Sequence, residues 1–181
     1  TRNIYMQTGF GMGVAAYARV RQVDANTGII STIAGGVWGY SGDGGLAVNA
    51  QIGFGLIAHD GVGNVYIAVV GYRPRQLAVN VTITTVAGNG TRGFSGDGGL
   101  ATNAQIGGIK GLSVDTTGNI YMQTEFGIGV AAYARVRKVD ANTGIISTIA
   151  GGVWGYSGDG GLAVNAQIGF GLIAHDGVGN V

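Results

Sequence analysis

Three aspartates recur in one glycine-rich phrase: Asp43 in YSGDGGLAVNAQIG (40–53), Asp97 in FSGDGGLATNAQIG (94–107) and Asp159 in YSGDGGLAVNAQIG (156–169). A carboxylate set among glycines could ligate a cation, sit beside a backbone phosphate cradle, or turn the chain. Calcium takes several oxygen ligands, yet each copy offers one Asp with no Asp-x-Asp ladder and no terminal Glu. A nucleotide phosphate loop continues into Lys-Ser/Thr and opens onto a helix, and the phrase does neither. The third reading is favoured: Asp accepts nearby backbone N–H bonds, and Leu46, Leu100 or Leu162 with the Asn-Ala-Gln-Ile segment packs into a gap between repeated units.

Other side chains offer less chemistry. The two histidines, His59 and His175, are copies of one position, and the matching position in the intervening unit is Val114. A catalytic metal needs about three converging protein ligands, so no metal site is assigned and no cofactor is expected. The serines lack a base in a strand–turn–helix context, so no acyl-transfer signature exists and no catalytic residue is named. Trp38, Tyr40, Trp154 and Tyr156 precede the phrase in GGVWGYSGDGG and are the candidate ligand-binding residues, since loop aromatics stack on sugars or anchor partners. Filling space between units is the competing role for them. Arg19/Arg21, Arg73/Arg75 and Arg135/Arg137 alternate along a strand, which places each pair on one face, read as a solvated stripe.

Composition narrows the class. Charged residues make up 10% of the 181 residues and hydrophobic ones 46%, with 38 glycines and a net charge of +1. The basic residues are scattered, so nucleic acid is discounted as a partner. No window approaches the roughly 18 unbroken apolar residues of a membrane span. The lack of cysteine excludes disulfides and thiol chemistry. It suits a surface or secreted protein as well as many cytosolic ones, and the expectation adopted is extracellular or cell-surface.

The elements that must position these residues are repeats. Residues 1–65 return as 117–181 with four changes, Arg2 to Gly118, Gly9 to Glu125, Met12 to Ile128 and Gln22 to Lys138. A weaker repeat starts at Asn3, Asn64 and Asn119, dividing the chain into units 1–63, 64–118 and 119–181 of type 1, type 2, type 1. Short runs rich in Val, Ile, Tyr and Thr, bounded by Gly, Asn and Asp, predict an all-β chain. In the second unit the strands fall at 55–60, 64–70, 73–79 and 82–88. Asp60-Gly61-Val62-Gly63-Asn64 supplies a tight hairpin between the first two. Four short antiparallel strands per unit are the pattern of a propeller blade, which must stack on its neighbours to bury its faces.

The order GNIYMQ, RVRKVDANTGIISTIAGG, GYSGDGGLAVNAQIG, GLIAHDGVGN resembles the NHL-repeat proteins of the bacterial type, whose blades carry a Gly-Phe-Ser-Gly-Asp-Gly-Gly phrase. The likeness covers nearly the whole chain. It implies a β-propeller, commonly six-bladed, used across that family as a protein-binding, RNA-binding and occasionally enzymatic scaffold. The type 1 units depart from the family pattern by an apolar insertion, 9–17 and again 125–133, at the loop between the second and third strands.

The insertion supplies the candidate self-association residues Phe10, Met12, Val14 and Tyr17, repeated as Phe126, Ile128, Val130 and Tyr133. Left in water they would form an apolar patch of a kind monomers avoid; folding back over their own blade is the alternative. Three blades are too few to close a propeller, which needs at least about four. The chain opens on a second strand (Asn3–Met6) and closes on a first strand (Gly171–Asp176), so a second copy could complete a shared blade in a closed six-bladed dimer or an open filament. The expected function is that of a non-enzymatic, self-assembling structural protein. A multivalent glycan- or protein-binding propeller and a metal-dependent hydrolase or lyase are the alternatives.

Overall fold

Alternating apolar residues in short segments, punctuated by residues that tolerate positive φ, build sheets. The computed structural model describes residues 3–11, 16–69, 71–127 and 132–176, and these form three antiparallel sheets. Sheet 1 contains β1 (Ile4–Phe10), β2 (Tyr17–Val23) and β3 (Ile30–Gly35). Sheet 2 contains β4 (Gly55–His59), β5 (Val65–Val69), β6 (Arg75–Leu77) and β7 (Ile83–Thr85). Sheet 3 contains β8 (Gly108–Val114), β9 (Ile120–Phe126), β10 (Tyr133–Val139) and β11 (Ile146–Val153). Strands pair in chain order within each sheet. β4 lies against both β1 and β8, so these three strands form one side of the array and β3, β7 and β11 are the outer edges.

The four strands expected in the second unit are present, trimmed by one to four residues at their ends. The first strand expected at Gly171–Asp176 does not form among the described residues. A strand is defined by its hydrogen-bonded neighbour. Here this segment is held by side chains instead: Gln123 Oε1 accepts from Gly171 N at 2.7 Å, and a His175 ring nitrogen lies 2.7 Å from Val114 O.

The hairpins are closed by buried aspartates. Asp60 Oδ1 accepts the amides of Val62, Gly63 and Asn64, each at 3.1 Å. Asp115 does the same for Thr117 and Asn119 at 2.9 Å, and also accepts the Tyr121 hydroxyl at 3.0 Å. Burial opposes ionisation of Asp115, but hydrogen bonds from Thr117, Asn119 and Tyr121 outweigh it and hold the carboxyl well below the ordinary range. Burial and the same carboxylate push Tyr121 up to about 12.

The core lies between sheets, not within one. Ala18, Val20 and Ala34 of sheet 1 meet Val65, Ile67, Val69, Leu77 and Ile83 of sheet 2, with Ala47, Ala50 and Ile52 of the glycine-rich phrase between them. A second core repeats this between sheets 2 and 3, with Ala101, Ala104 and Ile106 in the phrase positions. Sheet 2 therefore contributes to both cores and sheets 1 and 3 to one each, as in a stack of repeats. The leucines expected in these gaps are outside them: Leu46 and Leu100 are each half exposed, and the short 3-10 turns that follow, Ala47–Asn49 and Ala101–Asn103, point their alanines inward instead.

Candidate functional site

The recurring feature of the molecule is the junction where one sheet's glycine-rich phrase docks on the next sheet. In every sheet, an arginine of the last strand but one pairs across the ladder with a threonine of the last: Arg21 with Thr32 and Arg137 with Thr148, each beside a register shift, and Arg75 with Thr85. In sheets 2 and 3 this arginine faces the incoming phrase, so its guanidinium is buried where the phrase provides every partner.

At the first junction Arg75 is fully buried. Its Nε donates to Asp43 Oδ1 at 2.8 Å, its Nη1 to Gln51 O at 2.9 Å and its Nη2 to Ser41 O at 2.9 Å. The second Asp43 oxygen accepts from Thr85 N at 3.1 Å and from the Thr85 hydroxyl. At the second junction Arg137, also fully buried, donates from Nη2 to Asp97 Oδ1 at 2.6 Å, from Nη1 to Gln105 O at 2.8 Å and from Nη2 to Ser95 O at 3.2 Å. Burial alone would raise both carboxyls. Thr85 and Arg75 more than offset this for Asp43, and Thr148 and Arg137 do so for Asp97, so both lie below the ordinary carboxylate value.

Backbone bonds extend the dock. Gly44 N donates to Ile83 O at 2.8 Å and Ala47 N to Val81 O at 2.8 Å; Gly98 N and Ala101 N repeat this with Ile146 O and Gly144 O at 2.8 Å each. The phrase thus adds a short edge to β7 and β11, covering strands that would otherwise present unpaired groups. Gly44, Gly98 and Gly160 carry φ of 81°, 82° and 79° to make the turn.

An aromatic contact completes each dock. Phe126 and Tyr133 face one another across β9 and β10 and hold the Phe94 ring between them, at centroid distances of 5.7 and 5.2 Å, with the Arg135 guanidinium 4.1 Å from the Phe94 centroid. At the first junction Tyr40 occupies the equivalent place, 4.8 Å from both Arg73 and Arg75. Arg92 and Lys110 both approach Glu125, at 3.7 and 3.2 Å.

Several expectations are corrected by this geometry. Asp43 and Asp97 bind the next sheet's arginine, and Asp43 also its threonine, instead of their own turn's amides. The arginine pairs do share a face, but Arg75 and Arg137 are buried anchors and not part of a solvated stripe, because each finds an anion and two carbonyls there. Sequence reasoning missed this pairing; the available signal was that an Arg-x-Arg strand follows each of the first two phrases at similar distance.

The candidate ligand residues divide. Tyr40 is half-buried in a dock, Trp38 and Trp154 are about half exposed, and Tyr156 is 90% exposed. Trp154 leans on Phe170 with ring centroids 6.2 Å apart. The candidate self-association residues divide too: Phe126 and Tyr133 are half-buried against Phe94, whereas Phe10 is 84% exposed and Tyr17 half exposed. Met12, Val14, Ile128 and Val130 lie outside the described residues.

His59 and His175 pack on two copies of one tyrosine, Tyr5 and Tyr121, with ring centroids 5.7 and 6.2 Å apart, and His59, which is exposed, also accepts from Gly61 N at 3.2 Å. Among the described residues no group of three or more His, Asp or Glu side chains converges, and no helix is long and apolar enough to cross a membrane. A groove of about 450 Å³ between sheets 2 and 3 is lined by Asp60, Asn64, Tyr66, Gln76 and Thr117. The Asp60 carboxylate there is committed to its hairpin, and Gln76 donates to the Tyr66 hydroxyl at 3.0 Å. Burial, with the Asp60 charge, pushes Tyr66 up to about 12.

The fold and its docks define an all-β protein of stacked antiparallel sheets. It is similar to a solved structure described as a structural genomics protein of unknown function from Bacteroides thetaiotaomicron VPI-5482, with a TM-score of 0.62 at 23% identity. The likeness covers 90% of this chain and 39% of that one, so the chain spans well under half the length of the protein it matches. No protein-family model and no curated protein matches the chain.

Proposed function

We propose that the protein is a non-enzymatic, self-assembling structural repeat protein, its three sheets being NHL-like propeller blades that stack on further blades of another copy. The observation that carries this reading is an uncovered half-core. Ile120 and Ile146 of sheet 3 are 4% and 0% exposed because the preceding sheet and phrase cover them. Their copies in sheet 1, Ile4 and Ile30, are 61% and 45% exposed. Identical residues in the same register differ only in whether something covers them, and a fully buried aliphatic side chain contributes about 1.5–3 kcal/mol. Stacked repeats bury such faces against a neighbouring repeat, which a second copy can supply.

Sedimentation velocity of the 181-residue chain across a concentration range tests the reading. Assemblies larger than 18.2 kDa that grow with concentration support it, and a monomer throughout refutes it.

A binding module remains as a second reading, because Trp38 and Trp154 occupy one repeated loop position and each leaves about half its surface in water. Two equivalent loops would gain avidity for a repeating glycan or protein ligand. A glycan array with Trp38→Ala and Trp154→Ala as controls decides it: ligand capture lost with assembly retained supports this reading, and no capture by the parent chain refutes it.

A further inference from the structure

We infer that the phrase 156–168 of one copy docks on sheet 1 of a second copy, with Asp159 received by Arg21 and Tyr156 received by the cup of Phe10, Tyr17 and Arg19. The inference rests on the self-assembly reading and specifies its contact.

Every component seen at the two internal junctions recurs in sheet 1 and in the phrase 156–168, and there none of them finds its counterpart among the described residues. On the receiving side, Arg21 stands opposite Thr32, as Arg75 stands opposite Thr85. Its Nε is buried with no hydrogen-bond partner among the described residues. A buried, unpaired guanidinium nitrogen is costly and rare. The matching nitrogens of Arg75 and Arg137 both donate to a phrase aspartate. Phe10 and Tyr17 face each other across β1 and β2 just as Phe126 and Tyr133 do across β9 and β10, but among the described residues no ring takes the place of Phe94, and Phe10 and Tyr17 are exposed.

On the donating side, Asp159 is exposed and Tyr156 projects into water, whereas Tyr40 and Phe94 are half-buried in their docks. Ala163 is exposed where Ala47 and Ala101 are buried. The turn itself is already formed, with φ of 106° at Gly158 and 79° at Gly160, so the phrase is presented in the shape it has when docked. Preorganisation of this kind lowers the cost of association.

The dock tolerates variation in its parts. A Tyr phrase sits on a sheet without the insertion at the first junction, and a Phe phrase sits on a sheet with it at the second. The Arg–Asp pair, the two carbonyls on the guanidinium and the glycine amide bond are common to both. A second copy supplies the same parts in the same order, and the contact is heterologous, head to tail.

Two single variants and their mixture test the contact. In Asp159→Arg and in Arg21→Asp, like charges meet at every copy-to-copy junction, so each variant alone should remain at 18.2 kDa at concentrations where the parent chain assembles. Mixed in equal amounts, the unaltered Asp159 of one variant meets the unaltered Arg21 of the other, and assemblies of at least twice that mass should appear. The rescue also shows that both variants are folded. Parent assembly that survives Asp159→Arg unchanged, or a mixture that stays monomeric, overturns the contact while leaving self-assembly standing. A parent chain that is monomeric at all concentrations overturns both.

Discussion

Replacing Asp97 by alanine tests whether the glycine-rich phrase is a staple between sheets. The substitution leaves Arg137, fully buried, with the Gln105 and Ser95 carbonyls but no anion. Removing one member of a buried pair costs about 3–5 kcal/mol. The Asp97 side chain is 42% exposed, so water can reach the vacated place and part of that cost is screened. The expected loss is therefore about 2–3 kcal/mol, or about 4–12 °C in melting temperature for a chain of this size. Urea unfolding at a fixed low protein concentration measures it, and a double-mutant cycle with Arg137→Met isolates the pair, with a coupling above about 1 kcal/mol expected. The carboxyl is depressed in the folded protein, so its stabilisation is complete above the unfolded value of about 3.9 and is lost as pH falls below it. The parent chain should thus lose more stability than Asp97→Ala on acidification from about pH 5 to about pH 3. A loss under about 1 kcal/mol with no coupling, the value of an exposed ion pair, would refute the staple.

Further outcomes follow from local geometry. Val81 holds φ of 65° at the turn where Gly144 holds 69°, and its side chain is about half exposed, so Val81→Gly should stabilise sheet 2 by about 1 kcal/mol in thermal unfolding. Gly98 has open space where a Cβ would go, so Gly98→Val pays only for backbone strain, about 1–2 kcal/mol. At Gly88 a Cβ would collide with the Tyr72 carbonyl, and Gly88→Ala should be the more damaging in the same melts. Phe10→Asp should leave the melting of the monomer nearly unchanged and reduce assembly size. Phe126→Asp should lower the melting temperature by breaking the contact with Phe94. Spectroscopic titration of the tyrosines should show Tyr66 and Tyr121 ionising near pH 12, with the stability they contribute lost as pH rises from about 10 to about 12.

Much of the fold could be read from residue order. The four strands of the second unit, the Asp60–Asn64 hairpin and the dependence on stacking all follow from local pattern, because turn residues and alternation act over a few positions. The junction was less legible. Asp43 and Arg75 are 32 residues apart, and nothing local distinguishes an arginine that faces solvent from one that faces a neighbouring sheet's loop. For the same reason Leu46 looked like the core residue of its phrase, when the 3-10 turn beside it rotates Ala47 inward and leaves the leucine half exposed. The insertion presented the opposite difficulty. Its sequence is nearly the same in both copies, yet Phe126 is half-buried and Phe10 exposed, because the difference lies in whether a phrase reaches them.

Amide hydrogen exchange at Gly160 and Ala163, followed against protein concentration, tests the central claim most directly. Their counterparts Gly44, Gly98, Ala47 and Ala101 each donate at 2.8 Å to the outer strand or turn of the next sheet. The account predicts that Gly160 and Ala163 exchange rapidly in dilute solution and become protected, toward the level of those four amides, as the chains associate. Rapid exchange at both positions in the associated state, with the four internal amides protected, would contradict it.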